Sequence, residues 1–472
     1  MLASFRKTKI VCTIGPATAS LSAIKQLIHA GMNVARLNFS HGNLKGHRET
    51  IKKIRQAARE ERSTIGILQD LAGPKIRLGQ INERRLTAGE EVVLISGNQA
   101  TDDVLPVNYP FLCEDLNEGE SILLADGRVE LQIIAVKTDH VLAKVVNGGI
   151  LTANKGVNLP ASDLRISAFT DKDREDLEFG LSEGVDFVAM SFIRHEKDID
   201  PVRERIAASS GGPLVIAKIE KPQAVDRLDP IIAAVDGVMV ARGDLGVEMP
   251  LEDVPLVQKQ IIQQARSAGK VVITATQMLS SMVESPRPSR AEVTDVAHAI
   301  LDGTDAVMLS EETAVGKYPV EAVALLNRVA LKTESSLDPK RFLEDDISIS
   351  LPQSNAAVSR AAAWLANDLN ADLIVAATAS GSTARVMSRL RPPMPIIGLT
   401  ASPKTHRQLC LSCGVIPALV PAYDDLDEMF WQVKRYLINE SLVEPGSRIV
   451  LTAGAPLNVA GTTNLIKVLE ID

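Results

Sequence analysis

Eight short apolar runs recur along the first part of the chain, and each ends in polar or charged residues. β-Branched and small residues dominate these runs, which is typical of buried strands. Amphipathic stretches such as Ser22 to Ala30 and Lys45 to Glu61 separate most of them, so predicted strands alternate with predicted helices. The eight runs are Lys9 to Gly15, Asn33 to Ser40, Thr64 to Asp70, Asp186 to Ile193, Leu214 to Glu220, Gly237 to Asp244, Val271 to Gln277 and Ala306 to Glu312.

This alternation predicts an α/β fold in which eight parallel strands close into a (β/α)8 TIM barrel. One interval, between the runs at Thr64 and Asp186, is far longer than the others. Within it, Gly79 to Ile166 has short alternating strands and turn signals such as Asn147-Gly148-Gly149. We therefore expect an inserted all-β barrel domain on the catalytic face, where it would act as a lid.

The rest of the chain returns to α/β alternation after a polar linker, Glu334 to Ser354, which carries the acidic run Glu344 to Asp346. The predicted domains are a catalytic barrel (1–74 and 169–340), a β-barrel lid (75–168) and a C-terminal α/β allosteric domain (341–472). The predicted strands of the last domain are Leu373 to Thr378, Ile396 to Thr400, Val415 to Val420, Arg448 to Gly454 and Asn464 to Ile471.

Composition narrows the classes of function. The net charge is −8 and aromatic residues make up 3% of the 472 residues, so the chain lacks the basic surface and stacking platforms of a nucleic-acid binder. There is no apolar run long enough to cross a membrane and no secretory signal, so we expect a cytoplasmic protein. Cys410 and Cys413 form a lone C-x-x-C motif, which we interpret as core or surface thiols.

Candidate chemistry lies where the predicted barrel strands end. On the second strand, Arg36, Asn38 and Ser40 share a face by alternation and can hold an anion beside a monovalent cation, or simply form a polar rim. Lys218 and Glu220 share a face at the end of the fifth strand, where a phosphoryl clamp with a metal ligand competes with a structural ion pair.

The sixth and seventh strands add Gly243, Asp244 and Thr276. Asp244 is either a second metal-binding carboxylate or the N-cap of a following turn, and Gly243 lets backbone amides approach a ligand. Two carboxylates among basic residues fit Mg²⁺ chemistry on a phosphorylated carboxylic acid. Neither a P-loop nor a dinucleotide-binding glycine motif is present in the sequence.

Motifs along essentially the whole chain, in the same order, resemble the pyruvate kinase family. The most specific is Leu214-Val-Ile-Ala-Lys218-Ile-Glu220-Lys221-Pro-Gln-Ala-Val225, which is similar to the active-site signature. The other segments that carry the resemblance are Thr8 to Pro16, Asn33 to Gly42, Lys155 to Pro160, Met239 to Glu248, Thr274 to Met282 and Asp302 to Ser310.

The resemblance implies transfer of a phosphoryl group from phosphoenolpyruvate to ADP, giving pyruvate and ATP in glycolysis. Glu220 and Asp244 would bind Mg²⁺ (or Mn²⁺), Lys218 would stabilise the phosphoryl group and the enolate, and Arg36 would hold the phosphate. The amides near Gly243 and Asp244, with Thr276, would hold the substrate carboxylate, and Thr276 would help to protonate the enolate. The residues that would face the nucleotide phosphates are His41, Arg77 and Lys155.

The resemblance also implies a K⁺ site formed by Asn38, Ser40, Asp70 and the carbonyl of Leu71. K⁺-dependent relatives resemble Gly-Pro-Glu-Ile-Arg, whereas this chain has Gly73-Pro-Lys75-Ile-Arg77. Since the Lys75 ammonium can supply the charge of K⁺, we hypothesise activity without K⁺; a rim residue or nucleotide contact is the alternative. A smaller departure is Ala125 before Asp126, where relatives commonly have two aspartates.

The C-terminal domain carries Thr378, Ser380, Gly381, Ser382 and Thr383 between a strand and a helix, a combination that favours a phosphate site or ordinary helix N-capping. In the resembled family this loop binds a phosphorylated activator, with the loop 454–463 closing nearby. We expect AMP or a sugar monophosphate as effector, and the family implies a homotetramer.

Two other functions stay open at this stage: a Mg²⁺-dependent lyase acting on an enolpyruvate, and a non-catalytic metabolite sensor.

Overall fold

The computed structural model describes residues 5–99, 103–208, 211–338, 342, 353–457 and 462–471. Its strands, in chain order, are β1 (Lys9–Thr13), β2 (Val34–Asn38), β3 (Gly66–Asp70), β4 (Arg84–Leu86), β5 (Glu91–Ser96), β6 (Val104–Val107), β7 (Ser121–Leu124), β8 (Val129–Val136), β9 (Val141–Asn147), β10 (Gly149–Leu151), β11 (Val157–Asn158), β12 (Phe187–Met190), β13 (Leu214–Ile219), β14 (Gly237–Ala241), β15 (Val271–Ala275), β16 (Ala306–Leu309), β17 (Leu373–Ala377), β18 (Ile396–Thr400), β19 (Val415–Leu419), β20 (Arg448–Gly454) and β21 (Thr463–Glu470).

The α-helices, in chain order, are α1 (Leu21–Ala30), α2 (Leu44–Glu60), α3 (Leu112–Asp115), α4 (Asp171–Ser182), α5 (Asp200–Ala207), α6 (Pro222–Asp226), α7 (Leu228–Ala234), α8 (Arg242–Glu248), α9 (Val254–Ser267), α10 (Arg290–Asp302), α11 (Glu311–Ala314), α12 (Pro319–Glu334), α13 (Gln353–Asp368), α14 (Ser382–Arg389), α15 (Pro403–Gln408) and α16 (Leu426–Asn439).

The predicted barrel is confirmed: eight parallel strands close in the order β1-β2-β3-β12-β13-β14-β15-β16, and β16 pairs with β1. The strand residues are buried because helices cover the outside and side chains fill the interior. The strands are shorter than the apolar runs that predicted them. β14 ends at Ala241 because Arg242 begins α8, and β2 ends at Asn38, so strand alternation does not extend to Ser40 as expected.

The predicted insertion is a β domain with its own hydrophobic core. It contains a six-stranded sheet, β11-β7-β8-β9-β5-β6, and a two-stranded sheet, β10-β4. Single bridges from Arg77 to Gly156 and from Leu78 to Val107 join residues beside the two edges of the larger sheet. The sheet therefore curls toward a barrel, although no continuous ladder closes it within the described residues.

The C-terminal domain is α/β, as predicted, with the strand order β19-β18-β17-β20-β21 and only β21 antiparallel. Most of the predicted linker, including Pro339, Glu344 to Asp346 and Pro352, lies outside the described residues. The domain boundaries stay predictions. Cys410 and Cys413 are buried free thiols, and no helix in the described ranges is long and apolar enough to cross a membrane.

Candidate active site

The buried Arg36 of β2 and the largely buried Lys218 of β13 meet at Asp70 of β3 at the carboxyl end of the barrel. The Arg36 guanidinium donates through Nε to Oδ2 of Asp70 at 2.7 Å. The Lys218 Nζ lies 3.4 Å from Asp70 Oδ1 and 2.7 Å from Glu220 Oε1. The structure thus brings together four predicted residues, and their opposite charges balance where water is excluded.

The electrostatics of this cluster keep the lysine charged. Burial alone would lower the pKa of Lys218, but the carboxylates of Asp70, Glu220 and Asp244 outweigh burial and raise it. Burial likewise opposes ionisation of Asp70, yet Lys218 and Arg36 hold the pKa of that carboxyl below its usual value. For Glu220, burial outweighs the attraction of Lys218, and repulsion from Asp244 adds to the effect of burial. The pKa of Glu220 is therefore raised to about 7.

Two residues that follow β12 position this cluster and were missed by the sequence analysis. The Ser191 hydroxyl accepts a hydrogen bond from Lys218 Nζ at 2.7 Å and donates to the Leu71 carbonyl at 2.9 Å. Phe192 has a positive φ of 57°, which aims its N–H at Glu220 Oε2, 2.7 Å away. The available signal was the place of Ser191 at the carboxyl end of the fourth barrel strand.

Thr276 lies on a strained turn directly after β15. Its φ is +64°, an uncommon value for a β-branched residue. The Thr276 hydroxyl accepts a hydrogen bond from the Gly243 N–H at 2.6 Å and donates to the Ala275 carbonyl at 2.6 Å. The Gly243 amide, which was predicted to face a ligand, is therefore engaged by Thr276 in this structure.

Arg242 holds this turn in place and was also missed. One Nη of its buried guanidinium donates to the Thr276 carbonyl at 2.8 Å, and the other lies 2.6 Å from Asp295 Oδ1. Its Nε donates to the Ala275 carbonyl at 3.3 Å. A partly buried ion pair thus fixes the arginine, which in turn fixes the consecutive carbonyls of Ala275 and Thr276.

Asp244 is the third residue of α8 and does not cap it, since Ala241 occupies the N-cap position. The Asp244 carboxylate is exposed and makes no hydrogen bond or ion pair within the described ranges. No group of three or more potential metal ligands occurs among the described residues. Asp244 and Glu220 still fit Mg²⁺, which commonly uses one or two carboxylates, because the two carboxylates are close enough for the charge of Asp244 to add to the effect of burial on Glu220.

A cleft of about 190 Å³ separates the inserted domain from the barrel. Lys75 and Arg77 line it on one side and Asp244 on the other. Arg77 is held by donation from Nη1 to the Asn154 carbonyl at 2.7 Å. His41 and Lys155 are exposed and do not line this cleft, but burial and the charges of Lys75 and Arg77 lower the pKa of His41.

Of the four groups predicted to bind K⁺, the oxygens of Asn38, Asp70 and Leu71 already have partners within the protein. Asn38 Oδ1 accepts from the Ser40 N–H at 3.1 Å, the Leu71 carbonyl accepts from Ser191, and both Asp70 oxygens face cations. Lys75 is half-buried nearby, and burial together with Arg77 and Lys218 lowers its pKa to about 8. The carboxylates of Asp70 and Asp244 act in the opposite direction and raise the pKa of Lys75, so the Lys75 ammonium lies within their electrostatic field.

A latch joins the inserted domain to the barrel at the edge of the cleft. Oε1 of the buried Glu248 accepts from Asn158 Nδ2 of the insert at 2.7 Å and from Lys221 Nζ at 2.7 Å. Sequence reasoning missed this contact because its partners are far apart in the chain and come together only when the insert folds onto α8.

The loop before α14 is not capped by a hydroxyl in the usual way. Gly381 is the N-cap residue, with φ +83° and no side-chain cap, while Thr378 Oγ1 accepts from the Gly381 N–H at 2.9 Å. Thr383 and Thr463 share a hydrogen bond of 2.8 Å between their hydroxyls. Ser380 is exposed and Ser382 is half-buried; part of the neighbouring loop, 458–461, lies outside the described residues.

Comparison with known proteins identifies relatives over nearly the whole chain. Residues 5–323 match the family described as "Pyruvate kinase, barrel domain", and residues 356–469 match "Pyruvate kinase, alpha/beta domain". The chain is 45% identical to pyruvate kinase from Sporosarcina psychrophila (98% of this chain, 80% of the relative) and 47% identical to pyruvate kinase 2 from Synechocystis (98% and 79%). A solved pyruvate kinase from Cryptosporidium parvum is similar with a TM-score of 0.94 at 35% identity, covering 99% of this chain and 96% of that one.

Proposed function

The chain belongs to the pyruvate kinase family and is a phosphotransferase, and on this premise we propose that it carries out Mg²⁺-dependent transfer of the phosphoryl group from phosphoenolpyruvate to ADP in cytoplasmic glycolysis. A second bound metabolite, itself phosphorylated, activates it. The observation that carries the catalytic proposal is the buried cluster of Arg36, Lys218, Asp70 and Glu220 beside the exposed Asp244.

Glu220 and Asp244 are the residues that would hold Mg²⁺ (or Mn²⁺). When bound, the metal ion supplies positive charge for the phosphoryl and enolate oxygens. The Phe192 N–H and Lys218 fix the Glu220 carboxylate, so this ligand is oriented before substrate arrives. Asp244, exposed to the cleft, is free to reach the metal without breaking another contact.

Lys218 and Arg36 stabilise the negative charge that develops during transfer. Both cations are held in place by Asp70, so little reorganisation is needed when the phosphoryl group moves. Because neighbouring carboxylates raise the pKa of Lys218, its ammonium stays protonated and clamps the phosphoryl group and the enolate oxygen.

The substrate carboxylate binds at the amides of Gly243 and Asp244 and at Thr276. It must compete with the Thr276 hydroxyl for the Gly243 N–H. That exchange frees Thr276 to take part in delivering a proton through water to the enolate carbon, which yields pyruvate. Arg242 acts as a positioning residue because it holds the Thr276 carbonyl but is not placed against the substrate.

ADP binds at the edge of the cleft between the barrel and the insert, where its phosphates face Arg77 in the cleft and the exposed His41 and Lys155 outside it. The Asn158–Glu248–Lys221 latch lies between these two parts of the chain. Closure at this latch would exclude water, so that the phosphoryl group is transferred to ADP rather than hydrolysed.

Lys75 replaces the monovalent cation. Asn38, Ser40, Asp70 and Leu71 would otherwise form the K⁺ site, but the oxygens of Asn38, Asp70 and Leu71 have protein partners. The Lys75 ammonium lies within the field of Asp70 and Asp244. We therefore expect catalysis without added K⁺.

The phosphorylated effector, AMP or a sugar monophosphate, binds at Thr378, Ser380, Gly381, Ser382 and Thr383. Support comes from the positive φ of Gly381 and the lack of a side-chain cap, which leave the first amides of α14 for an anion. The enzyme acts as a homotetramer, as the resemblance implies.

A coupled assay for pyruvate formation tests the catalytic proposal. Pyruvate should form from phosphoenolpyruvate only when ADP and Mg²⁺ are both present. Equal turnover without ADP would instead indicate a lyase, and no turnover together with sugar-phosphate binding would indicate a metabolite sensor.

A further inference from the structure

Arg389, the last residue of α14, is buried and has no partner in the part of the chain that the structure describes. The residue is only 4% exposed to solvent. Nε, Nη1 and Nη2 are all buried, and none has a hydrogen-bond partner among the described residues. Two residues later, Arg391 is equally buried but pairs with Asp305 at 2.9 Å, which is the usual way to bury a guanidinium.

Among the residues that the structure describes, the charged groups that act on Arg389 are also positive. Burial lowers its pKa to about 10, and repulsion from Arg360 of α13 and Arg266 of α9 adds to the effect. Arg266 is itself buried and lies over the ring of Phe342, 4.5 Å from its centroid. Within the described ranges, no carboxylate acts on Arg389. Three arginines from two domains therefore converge at the junction of the barrel and the C-terminal domain.

The buried Arg389 guanidinium is costly unless an anion compensates it. A buried unpaired charge loses its hydration and gains nothing in return. The carbonyls at the C-terminal end of α14 favour a cation there, but that effect is weak compared with the loss of hydration. A guanidinium with all its donors free matches a tetrahedral oxyanion, which can accept from two nitrogens at once.

We propose that a small oxyanion of the phosphate class binds to Arg389 between α14, α13 and α9, with Arg266 and Arg360 adding favourable charge. This site lies at the C-terminal end of α14, whereas the effector loop at 378–383 precedes its N-terminal end. Because the three arginines come from the barrel and the C-terminal domain, a bound anion stabilises the contact between these domains. The proposal does not depend on the catalytic function.

Thermal unfolding of the full chain tests the site, with inorganic phosphate compared with chloride at constant ionic strength. Phosphate should raise the midpoint of the wild type by about 2 °C or more beyond its effect on Arg389→Met. In chloride, Arg389→Met should be at least as stable as the wild type, because it removes an uncompensated charge. Ser380→Ala is altered only in the effector loop, so phosphate should raise its unfolding midpoint as much as it raises that of the wild type.

Two results with Arg389→Met would overturn the proposal. One is an equal phosphate effect on the wild type and Arg389→Met. The other is a loss of stability in Arg389→Met in chloride, which would mean that the chain's own groups already pair this arginine. If Arg389→Met does not fold, Arg389→Lys serves instead, since it keeps the charge but lacks the forked guanidinium. This variant should lose most of the rise in unfolding midpoint that phosphate causes. Repeating the thermal unfolding with glucose 6-phosphate shows whether free phosphate or the phosphate end of a metabolite binds better. If neither compound raises the unfolding midpoint of the wild type more than that of Arg389→Met, the site is also refuted.

Discussion

Lysines lie buried at both ends of the barrel, but their surroundings differ. At the carboxyl end, Lys218 contacts Asp70 and Glu220, and these carboxylates raise its pKa in spite of burial. At the opposite end, Lys9 of β1 donates to the Val415 carbonyl at 2.6 Å. Burial, with repulsion from Arg6, lowers the pKa of Lys9 to about 8.

The difference shows that burial by itself does not determine the charge of a lysine. Carboxylates cluster at the end of the barrel where a permanently charged lysine is needed for phosphoryl transfer. At the other end Lys9 serves as a hydrogen-bond donor, and Arg389 is left for an external anion. Neutralisation by the chain's own carboxylates therefore distinguishes Arg36 and Lys218 from Lys9 and Arg389.

The largest effect on stability is expected from Asp70→Asn. This substitution leaves Arg36 and Lys218 without their shared counter-charge in a buried site, and the free energy of unfolding should fall by about 3 kcal/mol. Urea unfolding measures the change. Asp171→Asn, a substitution of an exposed aspartate on α4, is the control and should change stability little. A loss for Asp70→Asn no larger than for this control would contradict the role given to Asp70.

The lowered pKa of Lys9 predicts a pH dependence with a defined sign. Between its folded value of about 8 and its unfolded value near 10.5, the unfolded chain binds more protons, so the contribution of Lys9 becomes more favourable as pH rises. Relative to Lys9→Met, the wild type should gain about 1.4 kcal/mol or less for each pH unit in this window. Urea unfolding of both proteins at pH 7.5, 9 and 10 measures it. A constant difference would show that Lys9 titrates normally.

Lys75→Glu should create a requirement for K⁺. In tetramethylammonium buffer the wild type should be stimulated less than about twofold by added K⁺. The Lys75→Glu enzyme should be stimulated about tenfold, since a cation worth about 1.4 kcal/mol is then missing. Steady-state rates give both values, and Lys45→Glu on the exposed part of α2 is the control. Strong stimulation of the wild type would refute replacement of K⁺ by Lys75.

A smaller effect is expected from Ser380→Ala in the effector loop. Loss of one hydrogen bond to a phosphate should raise the Kd of a sugar monophosphate about fivefold. Isothermal titration calorimetry measures the Kd, with Ser22→Ala on α1 as the control. An unchanged affinity would place the effector elsewhere.

Much of this molecule was predictable because its strands are apolar runs that end in polar residues. That pattern located the eight barrel strands and, at their carboxyl ends, Arg36, Lys218 and Glu220. It could not show that β14 stops at Ala241, since Arg242 follows an apolar run but begins a helix.

The sequence patterns could not predict which residues act through long-range contacts. The hydrogen bonds from Arg242 to the Thr276 carbonyl and from Lys218 to the Ser191 hydroxyl depend on residues that the closed barrel brings together. The burial of Arg389 depends in the same way on the packing of the domains. Local propensity carries no signal for such pairings.

The kcat of Lys218→Met compared with that of Lys9→Met tests the central claim most directly. Both substitutions remove one buried lysine from a barrel strand. In the coupled pyruvate assay, Lys218→Met should lose about 10³-fold in kcat because a preorganised cation at the phosphoryl group is gone. Lys9→Met should stay within about twofold of the wild type. A Lys218→Met enzyme that keeps more than a tenth of the activity, or an equal loss in both variants, would contradict the account.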